Sequence, residues 1–150
     1  MLEPVKEDFM NEPVYTIGHA AEKLGVAVPT LRMYEQAGLI LPHRTKTNRR
    51  LYSRNDIDRL QTIIDMIRKK HLNIEAIKFI CSLTPCWKIL NCSLEQRNQC
   101  SAYLSGMVPC WLISEHCCLH ETIECRDCEV YLSCLDHWKD PKTFLKQFMD

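Results

Sequence analysis

A helical repeat of apolar positions runs through the segment 16–24. The apolar positions are Ile17, Ala20, Ala21 and Leu24. Their spacing of three to four residues is typical of the buried face of an amphipathic helix. Thr16 precedes the repeat and can cap the helix through its hydroxyl. The pattern therefore predicts a short helix that starts after Thr16.

A second short helix is predicted directly after the first. Gly25 can adopt the positive φ that a tight turn between helices needs, and Pro29 suits the first turn of the next helix. That helix would carry Thr30, Arg32 and Tyr34. Two helices joined in this way form a helix-turn-helix, whose second helix enters the major groove of DNA.

Basic side chains crowd into the stretch that follows. They are His43, Arg44, Lys46, Arg49, Arg50 and Arg54. Two short strands joined near residues 46–48 would form a hairpin wing with these cations along the DNA backbone. Ser53 then caps a helix whose apolar positions repeat at three to four residues, and a last short helix begins at Asn73.

Charge is distributed unevenly along a chain whose net charge is zero. Residues 13–80 carry 12 Lys and Arg against 6 Asp and Glu, residues 81–150 carry 6 against 9, and residues 1–12 carry 1 against 4. A basic segment beside acidic ones indicates that one part faces a polyanion. We expect residues 1–12 to be a flexible tail. Because neither a signal peptide nor a membrane span is evident, we expect a cytoplasmic protein that does not contact membranes.

The first half resembles the MerR family of transcription regulators. The strings TLRMYEQAGLILP and RTKTNRRLYSRNDIDRL match the family's recognition helix, wing and third helix across roughly residues 15–80. Asn48, Arg49 and Arg50 replace the Gly-Tyr-Arg of many members, which is closer to the HspR-like branch. The resemblance implies a homodimer on a palindromic promoter with a long spacer, whose distortion controls RNA polymerase indirectly. No heptad pattern follows Cys81 to supply the family's usual dimerisation helix.

The sequence and this resemblance together predict a set of DNA-binding residues. They are Thr16, Thr30, Arg32, Tyr34, His43, Arg44, Arg49, Arg50 and Tyr52. Hydroxyl, imidazole and cationic side chains of this kind contact phosphates or base edges.

The second half is defined by its cysteines, since all ten lie between Cys81 and Cys134. In a reducing cytosol such a set is more often a group of metal or cluster ligands than a disulfide framework. Cys86 and Cys110 each stand between a Pro and a Trp, and Cys125 and Cys128 form a Cys-x-x-Cys pair. Residues 85–134 resemble the two-CW domain, although Cys100 is followed by Ser-Ala-Tyr rather than the usual Pro-Ala-Tyr.

Eight cysteines are predicted metal ligands. They are Cys86, Cys92, Cys100, Cys110, Cys117, Cys125, Cys128 and Cys134. An iron–sulfur cluster is the first choice of cofactor and zinc the second, while disulfides or free thiols stay open as a third possibility. Cys117 is preferred to its neighbour Cys118, and Cys81 is interpreted as a buried small apolar residue.

These observations predict a mainly α-helical protein: a winged helix-turn-helix in residues 13–80 and a small, irregular, metal-stabilised cysteine-rich domain in residues 81–150. The predicted function is a transcription regulator that binds double-stranded DNA and senses redox state, a gas or a metal. The alternative is a regulator whose cysteine domain is a structural zinc module for dimerisation or partner binding. We do not expect an enzyme, because the Cys-x-x-Cys pair lacks the βαβ context of thiol-disulfide oxidoreductases.

Overall fold

A computed structural model of the protein describes residues 6–113 and 124–149, and most of these are helical. The chain divides into two compact units, residues 1–74 and 75–150. The division falls earlier in the chain than the boundary predicted from the cysteines, so the exact domain boundary stays a prediction. The predicted fold class, mainly α with a small winged sheet, is confirmed.

The first unit has four helices and three short strands within its described part. In chain order they are α1 (Lys6–Asn11), β1 (Tyr15–Thr16), α2 (Ile17–Leu24), α3 (Val28–Gln36), β2 (His43–Arg44), β3 (Arg50–Tyr52) and α4 (Arg54–Arg68). The helix-turn-helix, the wing and the supporting helix are therefore present in the predicted order.

The small sheet has the strand order β1-β3-β2, and both pairs are antiparallel. Strands β2 and β3 form the predicted wing, with His43 opposite Leu51. Strand β1 was not predicted, because two residues are too few to give a period-two pattern. It pairs Tyr15 with Tyr52 and so joins the start of the helix-turn-helix to the wing.

Local signals fix the ends of these helices as the sequence predicts. The Thr16 hydroxyl accepts a hydrogen bond from the His19 backbone N–H at 3.3 Å, and Gly25 ends α2 with a φ of 66°. Ser53 and Asp56 form a capping box at the start of α4, in which each side chain bonds the other residue's backbone N–H.

The core of the first unit consists of apolar side chains from α2, α3, α4 and the wing. Its fully buried members include Ala20, Leu31, Leu39, Ile40, Tyr52, Leu60 and Ile63. Arg59 of α4 is also buried, and its Nε donates a hydrogen bond to the Leu39 carbonyl at 2.7 Å. This bond ties α4 to the segment between α3 and the wing.

The segment expected to be a flexible tail contains helix α1, which contacts α4. The guanidinium of Arg54 lies 3.9 Å from the centre of the Phe9 ring, and Asn55 Nδ2 donates to Asn11 Oδ1 at 2.5 Å. A cation over an aromatic ring is attractive, and the amide pair fixes the end of the helix. Residues 6–11 are therefore a helix in contact with α4, while the flexibility and bounds of the tail stay a prediction.

The second unit is made of short helices. They are α5 (Ile74–Ser82), α6 (Cys86–Ile89), α7 (Leu94–Asn98), α8 (Ser101–Ser105), 3-10 turns at Cys110–Leu112 and Cys125–Asp127, α9 (Glu129–His137) and α10 (Pro141–Met149). Helix α5 matches the helix predicted after Asn73. Helix α10 is amphipathic, with Phe144 buried.

Aromatic contacts organise the core of this unit. The Trp111 and Tyr131 rings meet edge to face with centroids 5.2 Å apart, which brings the second Cys-Trp motif against α9. Trp138 Nε1 donates to Thr84 Oγ1 at 3.2 Å. Within residues 6–113 and 124–149, no helix has the length and apolar character to cross a membrane.

Candidate DNA interface and cysteine module

One carboxylate connects the second helix of the helix-turn-helix to both strands of the wing. Glu35 Oε1 accepts from Arg44 Nη2 at 2.6 Å, and Glu35 Oε2 accepts from Arg50 Nε. Glu35 lies on α3, Arg44 on β2 and Arg50 on β3. This Glu35 clamp therefore fixes the wing beside α3. The sequence analysis missed it, because the partners are distant in the sequence.

The tip of the wing is a closed turn that presents two cations. The Thr45 N–H donates to the Arg49 carbonyl at 3.0 Å, and the Asn48 N–H donates to the Thr45 carbonyl at 2.9 Å. Asn48 has a φ of 62°, a conformation that Asn tolerates better than most residues. Lys46 and Arg49 are both exposed on this turn.

The predicted DNA-binding residues fall into different environments. Thr16, Arg32 and Arg49 are exposed, and Thr30 is half-buried. Arg32 precedes Glu35 by three residues on α3, so the two side chains share a helix face. The exposed Arg32 is therefore on the side of α3 that meets the wing.

His43 is half-buried and belongs to the support of the wing. Its Nε2 lies 3.9 Å from Asp56 Oδ2 at the start of α4. Burial raises the pKa of Asp56, while hydrogen bonds from Ser53 and the nearby His43 oppose that rise. His43 thus connects β2 to the capping box of α4.

Two of the predicted DNA-binding residues, Tyr34 and Tyr52, lie in the core instead of on the surface. They are 4% and 0% exposed. Burial raises the pKa of Tyr34, and it raises the pKa of Tyr52 to about 12 together with the nearby Glu35. Their large rings are therefore part of the core that supports α3 and the wing.

Comparison with known proteins agrees with this geometry. Residues 15–83 match the profile of the MerR HTH family regulatory proteins. These residues form a MerR-type helix-turn-helix domain. The match includes the three strands, the Glu35 clamp and α4, and it ends just after α5.

Curated relatives align with this MerR-type domain. The HTH-type transcriptional regulator GlnR of Bacillus anthracis is 39% identical over 74 residues, which are 49% of this chain and 57% of that protein. The putative heat shock protein HspR of Streptomyces coelicolor is 38% identical over 73 residues, which are 49% of this chain and 48% of that protein. The mercuric resistance operon regulatory protein of Bacillus cereus is 46% identical over 50 residues, or 33% and 38% of the two chains. The chain thus spans about half the length of the first two relatives and less of the third.

In the second unit, the first Cys-Trp motif belongs to a group of three thiols. Burial, together with the nearby Cys100 and Cys92, raises the pKa of Cys86 to about 11. Burial and Cys100 also raise the pKa of Cys92. The Trp87 and Tyr103 rings meet edge to face, 5.2 Å between centroids, and cover this group.

The Cys-x-x-Cys motif forms a separate pair. Burial and the nearby Cys128 raise the pKa of Cys125. Cys110 is half-buried at the second Cys-Trp motif. Cys117 and its neighbour Cys118 lie outside the residues that the structure describes, so the preference between them stays a prediction.

Cys134 lies against Cys81, the one cysteine outside the predicted ligand set that the structure describes. The two sulfur atoms are 3.2 Å apart, and both residues are buried. Cys81 is on α5 and Cys134 is on α9. Cys81 is buried, as interpreted from the sequence, but its contact with the Cys134 sulfur was not predicted.

The predicted metal centre can be tested against this donor set. A structural zinc ion or a cluster takes four thiolates at one point. Across residues 6–113 and 124–149, no group of three or more Cys, His, Asp or Glu side chains has the arrangement of a metal site. The described residues alone do not assemble such a group, and Cys117 and Cys118 lie outside them, so the metal or cluster centre stays a prediction.

The two Cys-Trp motifs line one cavity of about 350 Å³ in the second unit. Its wall includes Cys81, Cys86, Trp87, Tyr103, Cys110 and Trp111. This volume is in the range of sites for small molecules. Three thiols and three aromatic rings thus line one cavity, which the sequence motifs alone did not predict.

Proposed function

We propose that the protein is a DNA-binding transcription regulator of MerR type, whose second unit adjusts DNA binding in response to a redox, gas or metal signal. The relatives GlnR and the mercuric resistance regulator are named as regulators, and the matching family profile covers the helix-turn-helix and the wing. A regulator of this kind acts as a homodimer on promoter DNA in the cytoplasm and affects RNA polymerase indirectly.

The DNA-binding proposal rests on a contrast between the cations around the wing. Some are paired with a carboxylate, and others are exposed to solvent. Arg44 and Arg50 form ion pairs with Glu35, so their positive charge is partly neutralised within the protein. Arg32, Lys46 and Arg49 are exposed, and none of them forms an ion pair with the residues that the structure describes. Exposed cations on α3 and on the wing tip suit contacts with the phosphates of both strands of a duplex. Each such contact releases a bound counterion, which favours binding.

DNA binding through these cations should weaken as the salt concentration rises. The binding constant of the full chain for a mixed-sequence duplex is measured by fluorescence anisotropy between about 50 and about 200 mM salt. We expect Lys46→Ala and Arg49→Ala each to reduce the slope of log K against log salt by about 0.9 per protomer, hence about 1.8 for a dimer. Lys142→Ala removes one exposed cation from α10 and should leave the slope unchanged.

Two results would contradict the DNA-binding function. One is a folded protein, checked by circular dichroism, that shows no salt-dependent association with any duplex. The other is an equal loss of slope in all three variants, because the effect would then follow net charge and not the wing.

A further inference from the structure

The sulfur atoms of Cys81 and Cys134 are close enough to react with each other. They lie 3.2 Å apart, although the residues are 53 positions apart in the sequence. A disulfide has an S–S distance of about 2.05 Å, so closure needs the sulfurs to approach by about 1.2 Å. Two thiolates on one zinc ion, each at about 2.3 Å in a tetrahedral site, lie roughly 3.8 Å apart. The observed distance is thus shorter than that of a ligand pair and longer than a covalent bond.

The surroundings of the pair distinguish it from the other cysteines. Cys81 is 1% exposed and Cys134 is 0% exposed, and they are the two buried members of the eight cysteines that the structure describes. Burial shields both thiols from large molecules. Their side chains are held by α5 and α9, so little conformational freedom is lost when they join.

The cavity gives one of the two residues a contact with small molecules. Cys81 lines the cavity of about 350 Å³, while Cys134 is not among its lining residues. Of the two residues, Cys81 is therefore the one that a small oxidant inside the cavity can contact. A cavity of about 350 Å³ admits a small molecule but not a protein-sized reagent.

We propose that Cys81 and Cys134 are a redox-active dithiol that closes to a disulfide when a hydroperoxide enters the cavity. Cys81 is the residue attacked by the oxidant and Cys134 is the resolving residue. This assigns a modification site to Cys81, which the sequence interpretation treated as a packing residue. Reduction by an external dithiol returns the pair to its starting state.

The reaction balances in two steps. In the first, Cys81 Sγ attacks a peroxide oxygen, the O–O bond breaks, and the leaving hydroxide takes the thiol proton to become water, with Cys81 left as a sulfenic acid. In the second, Cys134 Sγ attacks the Cys81 sulfur, the S–O bond breaks, and the hydroxide leaves with the Cys134 proton as a second water. Two thiols have lost two electrons, and one hydrogen peroxide has gained them.

The regulatory consequence of this bond rests on the proposed function. Helix α5 begins at Ile74, the last residue of the first unit, and a Cys81–Cys134 disulfide would tie this helix to α9. A constraint on the helix that directly follows the DNA-binding unit is a means for an oxidant to change DNA affinity. The chemistry of the pair itself does not depend on DNA binding.

The test uses the full chain, reduced and then treated with a small excess of hydrogen peroxide. Remaining thiols are alkylated, the protein is digested without reductant, and the peptides are identified by mass spectrometry. We expect one linked pair of peptides that contains Cys81 and Cys134, lost after treatment with a dithiol. Recovery of both residues in alkylated form, or linkage of either one to a different cysteine, would overturn the proposal.

Two variants separate the roles of the residues. In Cys134→Ala, the sulfenic acid on Cys81 should persist and be trapped by a 1,3-diketone reagent, whereas absence of the adduct would overturn the order of attack. Cys110→Ala changes a half-buried cysteine on the same cavity wall and should keep the Cys81–Cys134 disulfide. Because the main measurement is made on the unaltered chain, a variant that fails to fold does not remove the test.

DNA binding of the reduced and oxidised protein is measured separately. A disulfide that forms with a change in duplex affinity supports both the pair and its regulatory role. A disulfide that forms with no change in affinity supports the pair and rejects its regulatory role. Failure of all duplex binding contradicts the proposed function and leaves the peptide result to decide on the pair.

Discussion

Gly25 and Gly18 are close together in the sequence, but of the two only Gly25 has the positive φ that favours glycine. Gly25 ends α2 with a φ of 66°, where L side chains are strained. Gly18 lies inside α2, where glycine costs helix stability because its backbone is free in the unfolded chain. A Cβ added at either position meets no atom within 4 Å, so packing does not decide either effect.

These two glycines supply a matched pair of substitutions with opposite predicted signs. Gly25→Ala should lower the free energy of unfolding by about 1 kcal/mol or somewhat more, because the left-handed conformation is unfavourable for alanine. Gly18→Ala should raise it by up to about 1 kcal/mol. Urea unfolding followed by far-UV circular dichroism measures both. Equal shifts in the same direction would contradict the assigned backbone geometry.

Tyr34 and Tyr52 show why a residue type in a motif does not fix its role. Both were predicted to contact DNA because their motif positions resemble those of the recognition helix and the wing. In the folded chain they are 4% and 0% exposed. Tyrosine has a large apolar ring with a single polar atom, so it suits a core as well as a surface. Their orientation depends on the packing of α3 against the wing, which spacing alone does not give.

At the scale of elements, the wing depends on a contact with α3 as well as on its own hairpin. Strands β2 and β3 have two and three residues, too few to be stable alone. The Glu35 clamp adds two charge-assisted bonds between the wing and α3. We therefore infer that the Glu35 clamp, more than the pairing of β2 with β3, fixes the position of the wing tip.

Glu35→Gln tests this assignment with little change in size. The amide removes the charge that holds Arg44 and Arg50 together, and we expect the free energy of unfolding to fall by about 1 kcal/mol, since the arginines are partly exposed. Glu22→Gln removes an exposed carboxylate from α2 of the same unit and should change it by less than about 0.5 kcal/mol. Urea midpoints from circular dichroism give the comparison, and equal effects would reject the clamp as a structural device.

The element scale also explains what the sequence could and could not predict. Caps at Thr16 and Ser53 and the turn at Gly25 depend on residues a few positions apart, so they were predicted correctly. The contacts of Glu35 with Arg44 and Arg50, and of Cys81 with Cys134, join separate elements. No local pattern encodes such pairs, because they follow from how the elements pack. The motif signals therefore gave the elements of the site but not its connections.

At the scale of the whole molecule, charge and sulfur are segregated into different halves. Residues 13–80 carry 12 Lys and Arg against 6 Asp and Glu and contain no cysteine, while every cysteine lies from residue 81 onward. The acidic second half is not expected to bind a duplex backbone, since like charges repel. This separation suits a regulator in which one half meets DNA and the other meets a signal. It also means that the chemistry of the second half can be measured on the whole chain without DNA.

The cofactor predicted for that half is open to such a measurement. If an iron–sulfur cluster is bound, the whole protein purified without oxygen should be brown, with visible absorption that disappears on treatment with a chelator and oxidant. Stoichiometric zinc in a colourless protein would support the second choice. If the centre uses Cys134 as predicted, metal loading should block the Cys81–Cys134 disulfide; if it uses only the other cysteines, the disulfide should still form in the metal-loaded protein. Metal-free protein with all ten cysteines open to alkylation after denaturation would contradict both cofactors and leave thiol chemistry as the source of the signal.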